Sequence, residues 1–381
     1  MGEKYLGEHI PKLGFGYMRI PKIGTEIDTE QTIKMVDLFM EQGFTYFDTA
    51  YAYLDERAED SLRETLVERY PRDSFQLTSK LPIWLIKSVE DTRKYFDISI
   101  ERLGVEFIDF YLMHAMCTER INIADEFQVW DTLIELKKEG KIKHLGFSFH
   151  DKPDVLEKIL REHGDDMDFV QLQINYLDWE SDEIQSKACY EIALKYKKPI
   201  IIMEPVKGGT LATIPKKADQ LMKTYRPDMS IPSWAIRYCA SLENILTVLS
   251  GMSTIEQVVD NLSYMKEFTP LKEEEYQVIK EAVDIMNSTD KIPCTDCKYC
   301  VPGCPMNINI PGVFGVWNDN KMLGTEGEKP ININKFKIRI DGLGKPSECI
   351  SCGACEAQCP QHINIMERLT DVAAMYEPLI N

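Results

Sequence analysis

Short apolar segments alternate with longer segments of helical periodicity along the first 270 residues of this 381-residue chain. Short, continuous apolar runs indicate buried parallel strands. They cover 13–18, 44–48, 75–80, 108–114, 143–148, 169–174, 200–204 and 246–250. Apolar residues recur at helical spacing between them, for example in 30–42, 89–103, 124–139, 183–197 and 254–266. Eight strands, each followed by a helix, predict an α/β protein built on a (β/α)₈ TIM barrel.

The pattern changes after one further helix, which is predicted at 273–286. From Asn287 onward the chain is rich in Cys, Pro, Gly and Asn, and 318–330 is typical of a polar loop. The sequence therefore predicts three parts: a barrel at 1–270, a connecting helix at 271–288 and a second domain at 289–381.

The second domain contains eight of the 11 cysteines, in two tight groups. Each group repeats the run C-x₂-C-x₂-C-x₃-C-P, which in bacterial ferredoxins binds [4Fe–4S] clusters. The groups are Cys294, Cys297, Cys300 and Cys304, followed by Cys349, Cys352, Cys355 and Cys359. The other three cysteines, Cys117, Cys189 and Cys239, are scattered and are predicted to be small core residues.

Three thiolates of one run can reach three irons of one cubane, and the fourth ligand then comes from the other run. This predicts one cluster on Cys294, Cys297, Cys300 and Cys359, and a second on Cys349, Cys352, Cys355 and Cys304. Structural zinc is the alternative, but paired C-x₂-C units would leave two cysteines of each run without a role. We therefore expect a mostly helical, dicluster ferredoxin-like domain.

Polar residues stand at the ends of the second, third and fourth predicted strands. They are Asp48 and, five residues later, Tyr53, then Lys80 and His114. A charge at such a position is costly unless it is paired. The four residues and the motif Phe-Asp-Thr-Ala-x-x-Tyr resemble the aldo-keto reductase family over about residues 5–270. The whole chain resembles bacterial members of that family that carry a C-terminal ferredoxin module.

The chemistry of these residues suits carbonyl reduction, which needs a hydride on carbon and a proton on oxygen. Tyr53 would be the general acid, and a nearby Lys80 ammonium is expected to lower its pKa. Asp48 would hold Lys80, and His114 would orient the carbonyl oxygen. The resemblance adds that a histidine at this position favours reduction of C=O over C=C bonds.

The resemblance also implies a nicotinamide site. Ser148 matches a residue that binds the amide, although Phe149 stands where Asn is usual. Gln173 matches a second amide contact, with Gln171 as its alternative, and Met203 occupies the place of a stacking Tyr. The loop after the seventh strand, with Lys207 and Gly208, is suited to a pyrophosphate.

The segment after the eighth strand decides the nucleotide. The resemblance places Ser250, Gly251, Met252, Ser253, Thr254 and Gln257 near the ribose, and Asp260 and Asn261 near the adenine. No cation stands where NADPH-specific members have one, so no preference for NADP(H) over NAD(H) is predicted. A bound flavin is a third cofactor compatible with the sequence.

Three hypotheses follow. The first is a nicotinamide-dependent carbonyl reductase, or an alcohol dehydrogenase in reverse, coupled to the clusters. The second is a ferredoxin- or flavin-linked reductase fed by the clusters, and the third an electron-carrier subunit with a scaffold barrel.

The net charge of −18 repels nucleic acid and anionic lipid, so neither is expected as a partner. Expected partners are a small carbonyl substrate and a redox protein, a ferredoxin or flavoprotein, for which the bulk charge favours a basic surface. Because no signal peptide or membrane-spanning run is found, a cytoplasmic location is expected.

Overall fold

The computed structural model describes residues 6, 7, 9–288, 290–323, 330 and 332–380. The chain divides into two compact units. We call Met1–Pro205 with Ala235–Leu271 the barrel unit, and Val206–Trp234 with Lys272–Asn381 the cluster unit.

Within the described residues, eight parallel strands close into a barrel, as the alternating pattern predicts. They are β1 (Leu13–Gly16), β2 (Tyr46–Asp48), β3 (Gln76–Leu81), β4 (Ile108–Met116), β5 (Ile142–Phe149), β6 (Phe169–Gln173), β7 (Ile200–Met203) and β8 (Ile245–Gly251). β1 closes the barrel between β2 and β8, so that Gly16 pairs with both Asp48 and Gly251. β1 is shorter than the predicted 13–18 because Tyr17–Arg19 turns into a 3₁₀ helix.

Large apolar side chains from alternate strands pack together in the barrel core. Tyr46, Phe110 and Phe169 make successive edge contacts, with ring centroids 5.2 and 5.3 Å apart, and belong to β2, β4 and β6. Supply of one layer by alternate strands is the usual packing of this fold. A short antiparallel ribbon, Lys22–Ile23 with Glu26–Ile27, was not predicted.

The helices of the described residues follow the chain in order. They are α1 (Thr29–Glu41), α2 (Ala58–Leu62), α3 (Val89–Leu103), α4 (Thr118–Glu126), α5 (Val129–Lys138), α6 (Pro153–His163), α7 (Ser186–Lys195), α8 (Lys216–Tyr225), α9 (Ile231–Ala240), α10 (Ile255–Met265), α11 (Glu273–Asn287), α12 (Ile310–Leu323), α13 (Ile333–Ile340), α14 (Ala354–Ala357) and α15 (Ile365–Tyr376). The single helix predicted at 124–139 is two helices, because Gln128 adopts a left-handed conformation (φ +54°) before α5. None of the described helices is both long and apolar enough to cross a bilayer.

The cluster unit includes 206–234, a stretch that the sequence analysis placed in the barrel. The reason is packing: α8 lies against α11, and Arg226 forms an ion pair of 3.3 Å with the buried Glu275. The rest of the unit is mostly helical, as predicted. Its core contains Phe336 stacked on Tyr376, with ring centroids 4.9 Å apart. Of the predicted loop 318–330, residues up to Leu323 continue α12, and 324–329 lie outside the described residues.

Candidate active site and candidate cluster sites

The four predicted catalytic residues meet at one end of the barrel. Asp48 ends β2, Lys80 is the fifth of six residues in β3, and His114 lies near the end of β4. Tyr53 follows in the turn after β2. Because parallel strands point the same way around the barrel, their carboxyl ends share one rim, which is where barrel active sites lie.

A buried ion pair forms the base of this group. Lys80 Nζ donates to Asp48 Oδ1 at 2.5 Å and to the Thr49 carbonyl oxygen at 2.7 Å. Gln171 donates to the other carboxylate oxygen of Asp48 at 3.1 Å. Gln171 therefore supports the ion pair. The sequence analysis considered Gln171 only as an alternative nucleotide contact and did not predict this role. Burial raises the pKa of Asp48 and lowers that of Lys80, and their mutual attraction opposes both shifts.

Tyr53 lies beside this pair, with its ring centroid 4.8 Å from Lys80 Nζ. The expected lowering of the Tyr53 pKa is wrong. Burial, and after it the charge of Asp48, raise the pKa well above the ordinary value of 10. Asp48 neutralises Lys80 at hydrogen-bonding distance, so little of the lysine's field is left to favour a phenolate.

His114 packs between two aromatic rings. Its ring centroid lies 5.6 Å from that of Tyr53, nearly perpendicular, and 5.2 Å from that of Trp84. Burial, and then the charge of Lys80, lower its pKa well below 6.5, so the imidazole is neutral at neutral pH. Its buried Nδ1 has no hydrogen-bond partner in the part of the chain that the structure describes.

The predicted amide contacts lie on neighbouring strands at the same rim. Ser148, in β5, accepts a hydrogen bond of 2.7 Å from the backbone N–H of Ala115. Gln173, at the end of β6, donates to the buried Asp178 at 2.9 Å. Met203 ends β7 and is half-buried. These contacts fix the two polar side chains at the barrel rim.

The segment after β8 is internally bonded. Asn261 donates to Ser250 at 2.8 Å, and Gln257 accepts from the Ser253 N–H at 2.7 Å. Thr254 caps α10, Met252 is buried, and Asp260 lies in α10 next to Asn261. The residues predicted near the ribose and adenine thus form one connected segment.

Sequence reasoning missed a cation at this segment. The side chain of Arg19 passes Gly251 so closely that a Cβ on that glycine would lie 3.3 Å from Arg19 Cδ, and the Arg19 carbonyl accepts from Ser253 at 2.5 Å. Arg19 follows β1, which is distant in sequence but adjacent to β8 in the closed barrel. The predicted closure of β1 onto β8 was the signal that could have located Arg19 beside this segment. Burial and the charge of Asp48 raise the pKa of Tyr53, and the charge of Arg19 opposes this rise.

Lys207 and Gly208, predicted to face a pyrophosphate, belong instead to the cluster unit. Lys207 is buried and donates to Gln361 at 3.3 Å. A Cβ on Gly208 would lie 2.3 Å from the Thr295 carbonyl oxygen, and the φ of +61° also favours glycine. Both partners lie close to cysteines of the two runs: Thr295 follows Cys294, and Gln361 comes two residues after Cys359.

Two cavities in the cluster unit are each lined by four cysteines. Cys294, Cys297, Cys300 and Cys359 line the first. Cys349, Cys352, Cys355 and Cys304 line the second. Each set contains three cysteines from one run and the last cysteine of the other. This is the crossed grouping that the ligand assignment requires.

The walls of the two cavities differ in polarity. The first includes Thr295, Lys298 and Gln361, and burial, followed by the charge of Lys207, lowers the pKa of the nearby Lys291 to about 8. The wall of the second is apolar apart from its cysteines, with Met306, Ile350 and other hydrophobic residues.

Comparison with known proteins identifies both parts of the chain. Residues 12–284 match the sequence profile of the Aldo/keto reductase family, and residues 293–364 match that of a 4Fe-4S dicluster domain. The chain belongs to the aldo/keto reductase family. The dicluster domain indicates two [4Fe–4S] clusters.

Curated relatives in this family match part of the chain. An aldo-keto reductase of Mycolicibacterium smegmatis is 30% identical over 159 residues, 42% of this chain and 52% of the relative. A 9,11-endoperoxide prostaglandin H2 reductase of Trypanosoma cruzi is 32% identical over 141 residues, 36% of this chain and 44% of the relative. The chain therefore spans about half the length of the curated relatives it matches.

Solved aldo-keto reductases share the barrel fold. The holo form of one from Bacillus halodurans has a TM-score of 0.59 and 24% identity, covering 72% of this chain and 93% of its own. One from Klebsiella pneumoniae, solved with NADP and acetate, has a TM-score of 0.55 and 19% identity, covering 71% and 91%. At these identities the likeness shows the fold.

The cavity cysteines fit iron–sulfur clusters. Burial, reinforced by neighbouring thiols, raises the pKa of Cys294 to about 12 and that of Cys355 to about 11. Thiolates gathered at this depth need positive charge, which iron supplies. Among the described residues no three His, Cys, Asp or Glu side chains are placed to share one metal ion. A cubane does not need that, because each thiolate binds a different iron.

The remaining cysteines differ from one another. Cys189 and Cys239 are buried, as predicted, and burial raises the pKa of Cys189 to about 12. Cys117 is only partly buried and its Sγ lies 3.1 Å from a carboxylate oxygen of Glu119. Cys117 occupies the N-cap position of α4, directly after β4, so it lies at the barrel rim rather than in the core.

Proposed function

We propose that the barrel unit reduces a carbonyl substrate, or oxidises the alcohol in reverse, with Tyr53 as general acid. The observation that carries the proposal is the buried ion pair of Lys80 and Asp48, with Tyr53 beside it and His114 against Tyr53. A charged pair inside a barrel is expensive to maintain, and its place at the strand ends suits catalysis.

NADH or NADPH, when bound, would supply the hydride for the carbonyl carbon. Tyr53 holds its proton at neutral pH, because burial raises its pKa. It can still protonate the carbonyl oxygen, since an alkoxide is a stronger base than a phenolate. Neutral His114 carries one ring N–H, which can orient the same oxygen through a hydrogen bond.

The rim residues suit a nicotinamide. Ser148 accepts one hydrogen bond, and its own hydroxyl proton has no acceptor among the described residues, so it can donate to the amide carbonyl. Arg19, beside Gly251, can meet a pyrophosphate, the role that the sequence analysis gave to Lys207 and Gly208. We assign Ser250, Ser253, Gln257, Asp260 and Asn261 to the adenosine side.

We further propose that the eight cavity cysteines bind the two clusters in the crossed grouping. A cluster carries one electron and a hydride two, so direct exchange with a nicotinamide is unfavourable. This supports a second candidate function, in which the clusters feed a flavin or a substrate in the barrel. The two four-cysteine cavities favour it. A pure electron carrier would not need the ion pair of Lys80 and Asp48.

The test compares Tyr53→Phe with the exposed Tyr225→Phe in anaerobically purified protein, using 4-nitrobenzaldehyde with NADH or NADPH. Tyr53→Phe should reduce turnover by about 10²–10⁴-fold, the usual contribution of a general acid, without loss of cluster absorbance. Turnover equal to that of Tyr225→Phe would remove Tyr53 from the mechanism. Turnover of the native protein with dithionite-reduced methyl viologen, and with neither nucleotide, would establish the second candidate.

A further inference from the structure

An arginine near His114 lacks an acidic partner in the part of the chain that the structure describes. Arg120, in α4, stacks with its Cζ 4.9 Å from the ring centroid of Trp84, and Trp84 lies 5.2 Å from His114. Arg120 donates one N–H to the Ala115 carbonyl at 2.5 Å. It forms no ion pair within the described residues. The charge of Arg120 also reaches the imidazole, whose pKa it helps to lower.

We infer that the substrate of the barrel unit carries an anionic group, of which a carboxylate is the simplest, that binds Arg120. This rests on the proposed function. A guanidinium has five N–H donors in a planar fork that matches a carboxylate. One of the five donates to another residue in the described part of the chain. Stacking on Trp84, which packs against His114, holds the fork near the imidazole, close to where the carbonyl is expected to lie.

Two substrates that differ only in the carboxylate test this. The native protein should reduce 4-carboxybenzaldehyde with higher kcat/KM than benzaldehyde. Arg120→Gln should lower the ratio of kcat/KM for 4-carboxybenzaldehyde to that for benzaldehyde at least tenfold, and Arg120→Lys should lower this ratio by less. Arg161→Gln, an exposed arginine of α6, should leave it unchanged. An unchanged ratio in Arg120→Gln would overturn the inference.

Failure of the proposed function gives a different result. If the native protein reduces neither aldehyde, reductase activity fails, while binding still tests Arg120. 4-Nitrobenzoate has the carboxylate but no reducible carbonyl, and it quenches tryptophan fluorescence. Its affinity should fall at least tenfold in Arg120→Gln, and equal affinity would overturn the inference even without turnover.

A second, independent observation concerns the surface of the cluster unit. Lys337, Arg339 and Lys345 are exposed and form no ion pair in the described part of the chain. Exposed apolar side chains accompany them: Ile338 is 72% exposed and Ile350 60%. Asp341 and Glu348 are the acidic residues of the same segment. We call residues 337–350 the basic segment, in a chain whose net charge is −18.

Backbone contacts fasten the basic segment to the wall of the second cavity. Gly344 forms a bridge with Ile308, and a Cβ on it would lie 2.0 Å from the Met306 carbonyl oxygen. Asn309 donates to the Arg339 carbonyl at 3.3 Å. Ile350 itself lines this cavity, and Cys352, one of its cysteines, is exposed. The second cavity is thus reached from the surface at the basic segment.

We propose that the basic segment docks a small acidic electron-carrier protein. One electron would leave the carrier, which is oxidised, and reduce the cluster held by Cys349, Cys352, Cys355 and Cys304. Positive side chains around exposed apolar ones steer an acidic partner and let it dissociate quickly, as small redox interfaces do. This reverses the expectation, drawn from bulk charge, of a basic partner. The local charge beside the cavity decides the sign.

Stopped-flow mixing with a dithionite-reduced, acidic plant-type ferredoxin tests the docking, with cluster bleaching as the readout. The second-order rate constant should fall with added salt. The double variant Lys337→Glu, Arg339→Glu should lower it at least tenfold at low salt. Lys216→Glu, Lys217→Glu, an equal charge change on exposed residues of α8, should not. Both variants should keep native iron content.

Equal rates in the two double variants would overturn the proposal. So would a faster, salt-sensitive reaction with reduced cytochrome c, a basic carrier. Sedimentation with anionic vesicles of phosphatidylserine and phosphatidylcholine tests the other possible occupant of the basic segment, a membrane surface. If they sediment the native protein but not the Lys337, Arg339 variant, and ferredoxin transfer is equal in both, the segment binds membranes.

Discussion

The barrel rim and the cluster unit satisfy their polar groups in different ways. At the rim, Lys80, Asp48 and Gln171 bond one another, so the charged pair is complete within the protein. In the cluster unit, four thiols line each of two cavities, and burial, reinforced by neighbouring thiols, raises the pKa values of Cys294 and Cys355. We therefore expect the barrel rim to form before its cofactor binds, and the cluster unit to depend on its clusters for folding.

The largest effect should come from removing iron. The native protein should contain about eight irons and eight sulfides per chain, as two [4Fe–4S] clusters require. Anaerobic chelation should abolish hydrogen-exchange protection in α12, α13 and α15 while β1–β8 stay protected. About one zinc per chain without sulfide would contradict the assignment, and simultaneous unfolding of the barrel would remove the contrast between the units.

The next prediction separates contact from backbone strain at two adjacent glycines. Gly208 lies against Thr295, whereas a Cβ on Gly209 (φ +97°) would meet no described atom within 4 Å. Gly208→Ala should lose about half of the iron, because the Thr295 segment carries Cys294 and Cys297. Gly209→Ala should retain more iron, although its φ is the less favourable one for alanine. More iron in Gly208→Ala than in Gly209→Ala would refute the contact argument.

Sequence reasoning reached the elements that local pattern specifies. Alternating apolar runs predicted the barrel, and the spacing of the cysteines predicted a dicluster domain. Features set by closure and packing escaped it. Arg19 meets Gly251 only because β1 closes onto β8, and Gln171 reaches Asp48 across the barrel. The predicted lowering of the Tyr53 pKa was wrong because the prediction considered only the charge of Lys80. It left out the burial of Tyr53 and the opposing charge of Asp48, which both raise the pKa.

A smaller effect concerns pH. His114 is buried neutral and its pKa lies well below 6.5, so below pH 6.5 the unfolded chain binds a proton that the folded barrel excludes. The free energy of unfolding should therefore fall as pH drops from 6.5, with His114 contributing at most about 1.4 kcal/mol per pH unit. The free energy of unfolding, measured by urea denaturation at pH 5.5, 6.5 and 7.5, should depend less steeply on pH in His114→Gln than in the native protein. A pH dependence of the free energy of unfolding in His114→Gln equal to that of the native protein would refute the assignment.

The smallest expected effect is discrimination between NADH and NADPH. The 2′-phosphate of NADPH carries nearly two negative charges, and desolvating it without a cation is costly. Gly251, Met252 and Gln257 offer none at the expected positions. We propose that Arg19 binds the pyrophosphate, which both nucleotides share. Fluorescence titration should therefore give dissociation constants within about tenfold, or about 1.4 kcal/mol, of each other.

Two variants sharpen this last comparison. Arg19→Gln should weaken both nucleotides by the same factor, because the pyrophosphate is common to them. Gln257→Arg should strengthen NADPH alone, because it places a guanidinium at the start of α10 where the 2′-phosphate is expected. NADPH binding more than tenfold tighter to the native protein would contradict the assignment. The cation would then be Arg19, which packs on Gly251, or Arg237, whose charge opposes the rise that burial causes in the pKa of Tyr264 beside Asn261.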